Sequence, residues 1–298
     1  MSRRAATLIG FTAVLMWALL AFLSKAAEGL PPFQLIALSF LVGGLVGFAG
    51  FPFRAGAWGA LASQGWKVWA LNVGALFGCH FLYFTAVRHA PIIEVNLLAY
   101  LWPLLIVLFS ALMPGSSLKA HHLAGGLLGF VGAVLVIGRG QGLAFLGDLK
   151  LGHLIAIPYA VLWAAFSVSI QRFARVPTDV VAGFCLACAA LSGLAHVALE
   201  ETVWRLDVWQ WAAVVALGMM PMGAAFYAWD YGMKHGDVTV LGACAYAAPL
   251  LSTLVLIATG FSTFHWSVAV ACLLITCGAL LAGKDMFLRN SAASRTTS

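Results

Sequence analysis

The chain has 298 residues, of which 63 % are hydrophobic and 9 % charged, with a formal net charge of +6. A soluble domain carries about 25 % charged residues, so no aqueous fold hides this much apolar surface and lipid must be the solvent. The basic excess is scattered between apolar runs rather than gathered into a stripe, which argues against nucleic acid and for contact with anionic lipid.

Apolar runs of spanning length predict helices over 5–25, 33–52, 68–88, 91–113, 120–138, 151–171, 178–199, 209–232, 238–259 and 265–283. At about 1.5 Å per residue each crosses a hydrocarbon core of ~30 Å. The runs are too long, and alternate too little, to be strands of a membrane barrel. The expected fold class is therefore an all-α integral membrane protein of ten transmembrane helices.

In chain order, helix 1 carries Trp17 and helix 3 carries His80 and Tyr83, which share a face three residues apart. Helix 4 opens with Glu94 and places Asn96, Tyr100 and Pro103 on one face by the i, i+4, i+7 rule, with Trp102 beside it. Trp163 follows in helix 6, Tyr227 and Asp230 in helix 8, and Tyr246 and Pro249 in helix 9. Helices 2, 5, 7 and 10 are nearly featureless and read as packing or lipid-facing elements, with Gly43-x-x-x-Gly47 and Gly125-x-x-x-Gly129 allowing close approach. Helices 1, 3, 4, 6, 8 and 9 form the expected inner ring.

Sliding the chain by 146 residues sets Trp17 on Trp163, Pro31 on Pro177 and Trp58 on Trp204. The same offset sets Arg88-His89 on Lys234-His235, Tyr100 on Tyr246, Pro103 on Pro249 and Gly132 on Gly278. This is a tandem duplication. Its expected domains are residues 1–140 and 148–285, five helices each, followed by a disordered cytoplasmic tail over 286–298. An odd helix number per copy inverts the second copy relative to the first.

With the N-terminus in the cytoplasm, the cytoplasmic segments hold Arg3, Arg4, Arg54, Lys67, Lys119, Arg172, Arg175, Lys234, Lys284, Arg289 and Arg295. The other side holds Lys25, Arg88, Arg139, Lys150 and Arg205. This bias predicts both termini in the cytoplasm. Reading Arg3-Arg4 and the run after it as a signal peptide is rejected, because cleavage would remove the repeat partner of helix 6.

Tyr100 and Tyr246 lie near mid-membrane depth, as do Trp17 and Trp163, where O–H and N–H groups need partners. These four are expected to line a polar cavity, and helix packing is the alternative. Pro103 and Pro249 predict kinks that free backbone groups and offer hinges, or simply structural bends. His80 is expected either to touch a ligand or to bond within the bundle. Its repeat partner is Phe226, so the copies diverge there, as they do at Trp102/Ala248. Glu94 and Asp230 are the acidic residues within the spans, read as hydrated carboxylates near the interface or as groups for proton coupling or amine recognition. Cys185-x-x-Cys188 and His121-His122 make no convincing metal site, and no cofactor or enzyme motif is present.

The residues Val14-Leu15-Met16-Trp17-Ala18, Val161-Leu162-Trp163-Ala164, Ala99-Tyr100-Leu101-Trp102-Pro103-Leu104 and Ala245-Tyr246-Ala247-Ala248-Pro249-Leu250, with Tyr83-Phe84-Thr85-Ala86, resemble the ten-helix type of the drug/metabolite transporter superfamily. That type has two EamA-like repeats, and Trp102-Pro103 after Tyr100 is most similar to its aromatic amino-acid exporter branch. The resemblance implies an inner-membrane carrier with alternating access, its cavity lined by Trp17, Tyr83, Tyr100, Trp102 and Trp163. The expected function is export of amino acids, aromatic ones foremost, by a chain acting as a monomer in the lipid bilayer. Alternatives are an exporter of cationic drugs or other metabolites, a membrane enzyme acting on lipid, and a non-transporting scaffold.

Overall fold

The computed structural model describes residues 1–113, 118–138, 149–282 and 284, and every regular element among them is helical. Among the described residues, nine helices are long and apolar enough to cross a membrane: Arg3–Ala26, Pro32–Phe53, Trp66–His89, Ile92–Ser110, Ala120–Ile137, Leu151–Phe173, Thr178–Leu199, Val208–His235 and Val238–Ala258. A shorter apolar helix, Trp266–Ala282, completes the set. These are spans 1 to 10 in chain order. Arg139, Arg289, Arg295, the end of helix 10 and the 286–298 tail lie outside the described residues.

Local chemistry sets the span ends. Ser2 accepts the Ala5 N–H at 3.2 Å to start span 1, and the Pro31-Pro32 pair starts span 2 without wasting a donor. Asp207 accepts the N–H groups of Trp209 and Gln210 at 2.7 and 2.8 Å, while the Gln210 side chain accepts the Asp207 N–H, which closes a capping box on span 8. Span 9 ends at Gly260, whose φ of +78° lets the Phe261 N–H turn back to the Leu256 carbonyl at 2.8 Å.

Exposed tryptophans mark the two membrane boundaries. On the face that carries the N-terminus these are Trp58 and Trp66, and on the far face Trp204, Trp209, Trp211 and Trp266. Such belts suit amphipathic rings at headgroup level. Trp58 and Trp204 are repeat partners on opposite faces, the placement that inversion requires.

Each copy packs helix by helix on the other. Spans 5 and 10 form the most extensive contact, spans 2 and 7 the next, followed by 1 with 8 and 3 with 6. The predicted bland helices thus build two seams. In the first, a Cβ on Gly125 would lie 2.5 Å from the Gly278 carbonyl and 2.8 Å from the Ala282 nitrogen, while one on Gly278 would lie 2.6 Å from the Gly125 carbonyl. Backbone meets backbone there, so neither side can give. Replacing Gly125 by Ala is expected to destabilise the fold by about 1–3 kcal/mol, read as a lower thermal midpoint in detergent. Gly74→Ala, where a Cβ meets nothing within 4 Å, is the matched control.

Several spans are broken rather than merely kinked. Span 4 divides at Tyr100–Leu101 into Ile92–Ala99 and Trp102–Ser110, and span 9 divides at Ala245–Tyr246 into Val238–Cys244 and Ala247–Ala258. Pro103 and Pro249 sit just inside the second segments, where a missing N–H costs least. Span 1 also breaks, at Ala18–Leu19, and span 8 holds a π turn over Met220–Ala224 around Pro221. No residue pattern above predicts these last two.

Candidate functional site

Trp17 lies at the centre of the bundle, within 6.3 Å ring-centre distance of Trp102, 5.9 Å of Trp163, 6.1 Å of Phe226 and 5.1 Å of Trp229. The first three contacts are edge-on, an arrangement that the ring quadrupoles favour by about 0.5–1.5 kcal/mol each. These five aromatics come from spans 1, 4, 6 and 8, two from each copy. Two of the four indole N–H groups are anchored: Trp17 Nε1 donates to the Pro221 carbonyl at 3.1 Å, and Trp229 Nε1 to Ser167 Oγ at 3.1 Å. The π turn in span 8 is what presents the Pro221 carbonyl to Trp17.

His80 joins this cluster at its edge, 5.2 Å from Phe40 and 6.5 Å from Phe226. Its Nδ1 is held 2.7 Å from the Leu76 carbonyl, one turn back, so the bonded alternative for this histidine is realised at one nitrogen. Tyr83 turns elsewhere. Its hydroxyl donates to Asn96 Oδ1 at 2.8 Å, and its ring lies 5.8 Å from Tyr159. Tyr159 was not singled out from the sequence, because its neighbour Pro158 and its own repeat position carry no matching residue.

The repeat-related tyrosines do different work. Tyr246 is wholly buried against Gly129, and its hydroxyl accepts the Leu104 N–H at 3.0 Å. The break in span 4 frees that N–H, so Tyr246 of one copy satisfies the broken helix of the other. Tyr100 stays half-buried, and among the described residues its hydroxyl makes no hydrogen bond. Tyr227 stands apart from the cluster, its hydroxyl against Gly47 of span 2, buried and without a hydrogen-bond partner among the described residues.

The two acidic residues are both paired. Glu94 accepts from His153 Nε2 at 2.6 Å; the His153 Nδ1 accepts the Lys150 N–H, which assigns the proton to Nε2. Asp230 is only 6 % exposed and bonds Lys234 Nζ and Thr178 Oγ1, both at 2.6 Å. Lys234 also donates to the Val176 carbonyl at 2.8 Å. Asp230 is thus held among side chains of the bundle rather than exposed at the span end.

A third carboxylate escaped the sequence reading. Glu200, past the last turn of span 7, accepts the Phe33 and Gln34 N–H groups at the start of span 2, and Arg88 at 3.0 Å. His196 Nδ1 lies 3.0 Å from it. The repeat partner of position 200 is Arg54, which on the opposite face bonds Asp179 at the start of span 7. The 146-residue offset contained this pairing, but not which backbone donors it would meet.

Comparison with known proteins bears on the family and the fold. Residues 4–138 and 150–283 each match the family described as "EamA-like transporter family". The chain is 52 % identical over 283 residues to the aromatic amino acid exporter YddG of Ancylobacter novellus, covering 95 % of this chain and 98 % of that protein. It is 28 % identical to the exporter of the same name from Escherichia coli K12, over 94 % of this chain and 97 % of that one. The pseudopaline exporter CntI of Pseudomonas aeruginosa is 25 % identical over 93 % of this chain and 91 % of its own. A solved crystal structure, 50 % identical, superposes with a TM-score of 0.88 over 94 % of this chain and 97 % of its own.

Proposed function

This chain belongs to the EamA-like transporter family, and on that premise we propose that it exports aromatic amino acids across the bacterial inner membrane. The observation that carries the proposal is the convergence of Trp17, Trp102, Trp163, Phe226 and Trp229 from both copies at one point in the bundle. Flat rings suit edge-to-face and offset contacts worth about 0.5–1.5 kcal/mol each. Contacts of that size hold a substrate without trapping it. The names of the YddG relatives point to the same substrate class.

Transport by alternating access follows from the inverted copies. The divided spans 4 and 9 supply hinges at Pro103 and Pro249, and the cavity opens around the tryptophan cluster with His80 at its edge. Both termini are cytoplasmic in this reading, so the Asp230–Lys234 face is the cytoplasmic one and the Glu200 face the external one. The proposed transport unit is the monomer, whose two copies already pack on each other within one chain.

The spans hold few carboxylates, and Glu94 and Asp230 are both engaged with side chains of the bundle, which favours export driven by the substrate gradient alone. Efflux of labelled L-phenylalanine from preloaded proteoliposomes is expected to be equally fast with and without an imposed pH gradient. Strong acceleration by the gradient contradicts uniport; no efflux of any aromatic amino acid contradicts the substrate class.

A further inference from the structure

Two adjoining cavities lie between the tryptophan cluster and the face carrying the N-terminus. Each is about 10 Å³, room for one water-sized group. They share Asn72, Ile170, Phe184 and Asp230. One reaches inward to Phe226 and Trp229, and the other outward to Lys234 and Val176. Their walls are otherwise apolar, so the polar atoms they contain need a reason to be there.

The hydrogen bonding of those atoms is incomplete in one particular way. Both bonds accepted by Asp230 fall on Oδ2, which leaves Oδ1 without a donor among the described residues. Asn72 is 7 % exposed and donates from Nδ2 to the Val68 carbonyl at 2.8 Å, which leaves its Oδ1 without one as well. Glu200 shows the contrast, since donors occupy both of its oxygens. Both cavities are thus lined by two residues that each keep an unused acceptor, one of them a carboxylate, and each has the size of a single –NH3+ group.

We propose that Asp230 and Asn72 form an ammonium niche, which receives the amine of an aromatic amino acid at the edge of the tryptophan cluster. Lys234 decides what kind of amine. Two of its N–H groups are engaged, by Asp230 and the Val176 carbonyl, and the third is available to a carboxylate. A bare cation meets repulsion from Lys234, whereas a zwitterion brings the carboxylate that answers it. The niche therefore selects an α-amino acid over a cationic drug or a deaminated ring acid. Its ligand rests on the transport function proposed above; its geometry does not.

The test is tryptophan fluorescence titration of the purified full-length chain in nanodiscs, with L-phenylalanine and 3-phenylpropionate as probes. The second has the same ring and carboxylate but no amine. The wild type is expected to bind L-phenylalanine more tightly. Asn72→Leu, and the charge-balanced pair Asp230→Asn with Lys234→Met, are each expected to weaken L-phenylalanine by about tenfold or more, the worth of a charge-assisted bond. Asn72→Leu leaves 3-phenylpropionate unchanged. An equal loss for both probes in Asn72→Leu overturns the niche, as does unchanged L-phenylalanine binding or a wild type indifferent to the amine. If proteoliposomes move no aromatic amino acid while amine-selective binding holds, the transport reading falls and the niche stands.

Discussion

Replacing Trp17 by Ala lowers the rate of aromatic amino-acid export by about tenfold or more, equivalent to at least ~1.4 kcal/mol. Four rings lose a neighbour at once, and edge-on contacts are worth about 0.5–1.5 kcal/mol each, so several kcal/mol of preorganisation are at stake. The substitution also removes the N–H that meets the Pro221 carbonyl in the π turn of span 8. Trp17→Phe separates the two effects, because it keeps a ring and loses the donor. Initial rates of L-phenylalanine flux in proteoliposomes are expected to rank wild type, then Phe, then Ala. Trp58→Ala, on the exposed boundary of the same copy, leaves the rate unchanged. Equal rates for wild type and Trp17→Ala remove Trp17 from the site.

Replacing Glu200 by Ala produces the largest expected loss of stability. The Glu200 side chain is 4 % exposed, whereas Arg88 is 41 % exposed and regains water once its partner is gone. The loss is therefore set by the Phe33 and Gln34 N–H groups and by His196. A buried donor left unmet costs about 1–3 kcal/mol. Glu200 also supplies negative charge at the start of span 2, where the helix dipole is positive. Glu200→Gln preserves shape and one acceptor but turns an NH2 toward those donors, and it falls between. Thermal midpoints in detergent are expected to order wild type, Gln, Ala, while Glu201→Gln, exposed beside it, matches wild type. An Ala variant as stable as wild type contradicts the clamp.

The duplication made much of this molecule legible. Span number, the two copies and the meeting of Trp17 with Trp163 follow from residues whose bulk and depth survive in both halves, whereas Trp102, opposite Ala248, joins them from one half alone. Tyr246 shows where that logic stops. It matches Tyr100 in identity and depth, yet it faces a seam, because Gly129 leaves it room and the broken span 4 offers it the Leu104 N–H. A sequence offset reports which residues correspond, not which backbone group has lost its partner. The same holds for Glu200, whose role depends on unpaired N–H groups at the start of span 2, 167 residues away in sequence. Tyr227 and Trp229 sit two residues apart on span 8 and face opposite neighbours, Gly47 and Trp17. The π turn that precedes them shifts the register, and hydropathy carries no trace of it.

Asp230 and Lys234 illustrate a subtler limit. Depth alone left Asp230 open between a hydrated carboxylate and a functional one. The i, i+4 partner Lys234 was present in the sequence, but it was read as a topology signal at the end of the span. Only the shared cavity with Asn72 and the Phe226–Trp229 wall turns the pair toward a ligand.

The central claim, that two inverted copies carry an aromatic amino acid past the tryptophan cluster, is tested most directly by counterflow. Proteoliposomes loaded with unlabelled L-phenylalanine are diluted into a trace of the labelled amino acid, with no other driving force. The account predicts transient accumulation of label above its external level, absent from protein-free vesicles and strongly reduced in Trp17→Ala. Label that never rises above that of protein-free vesicles contradicts it.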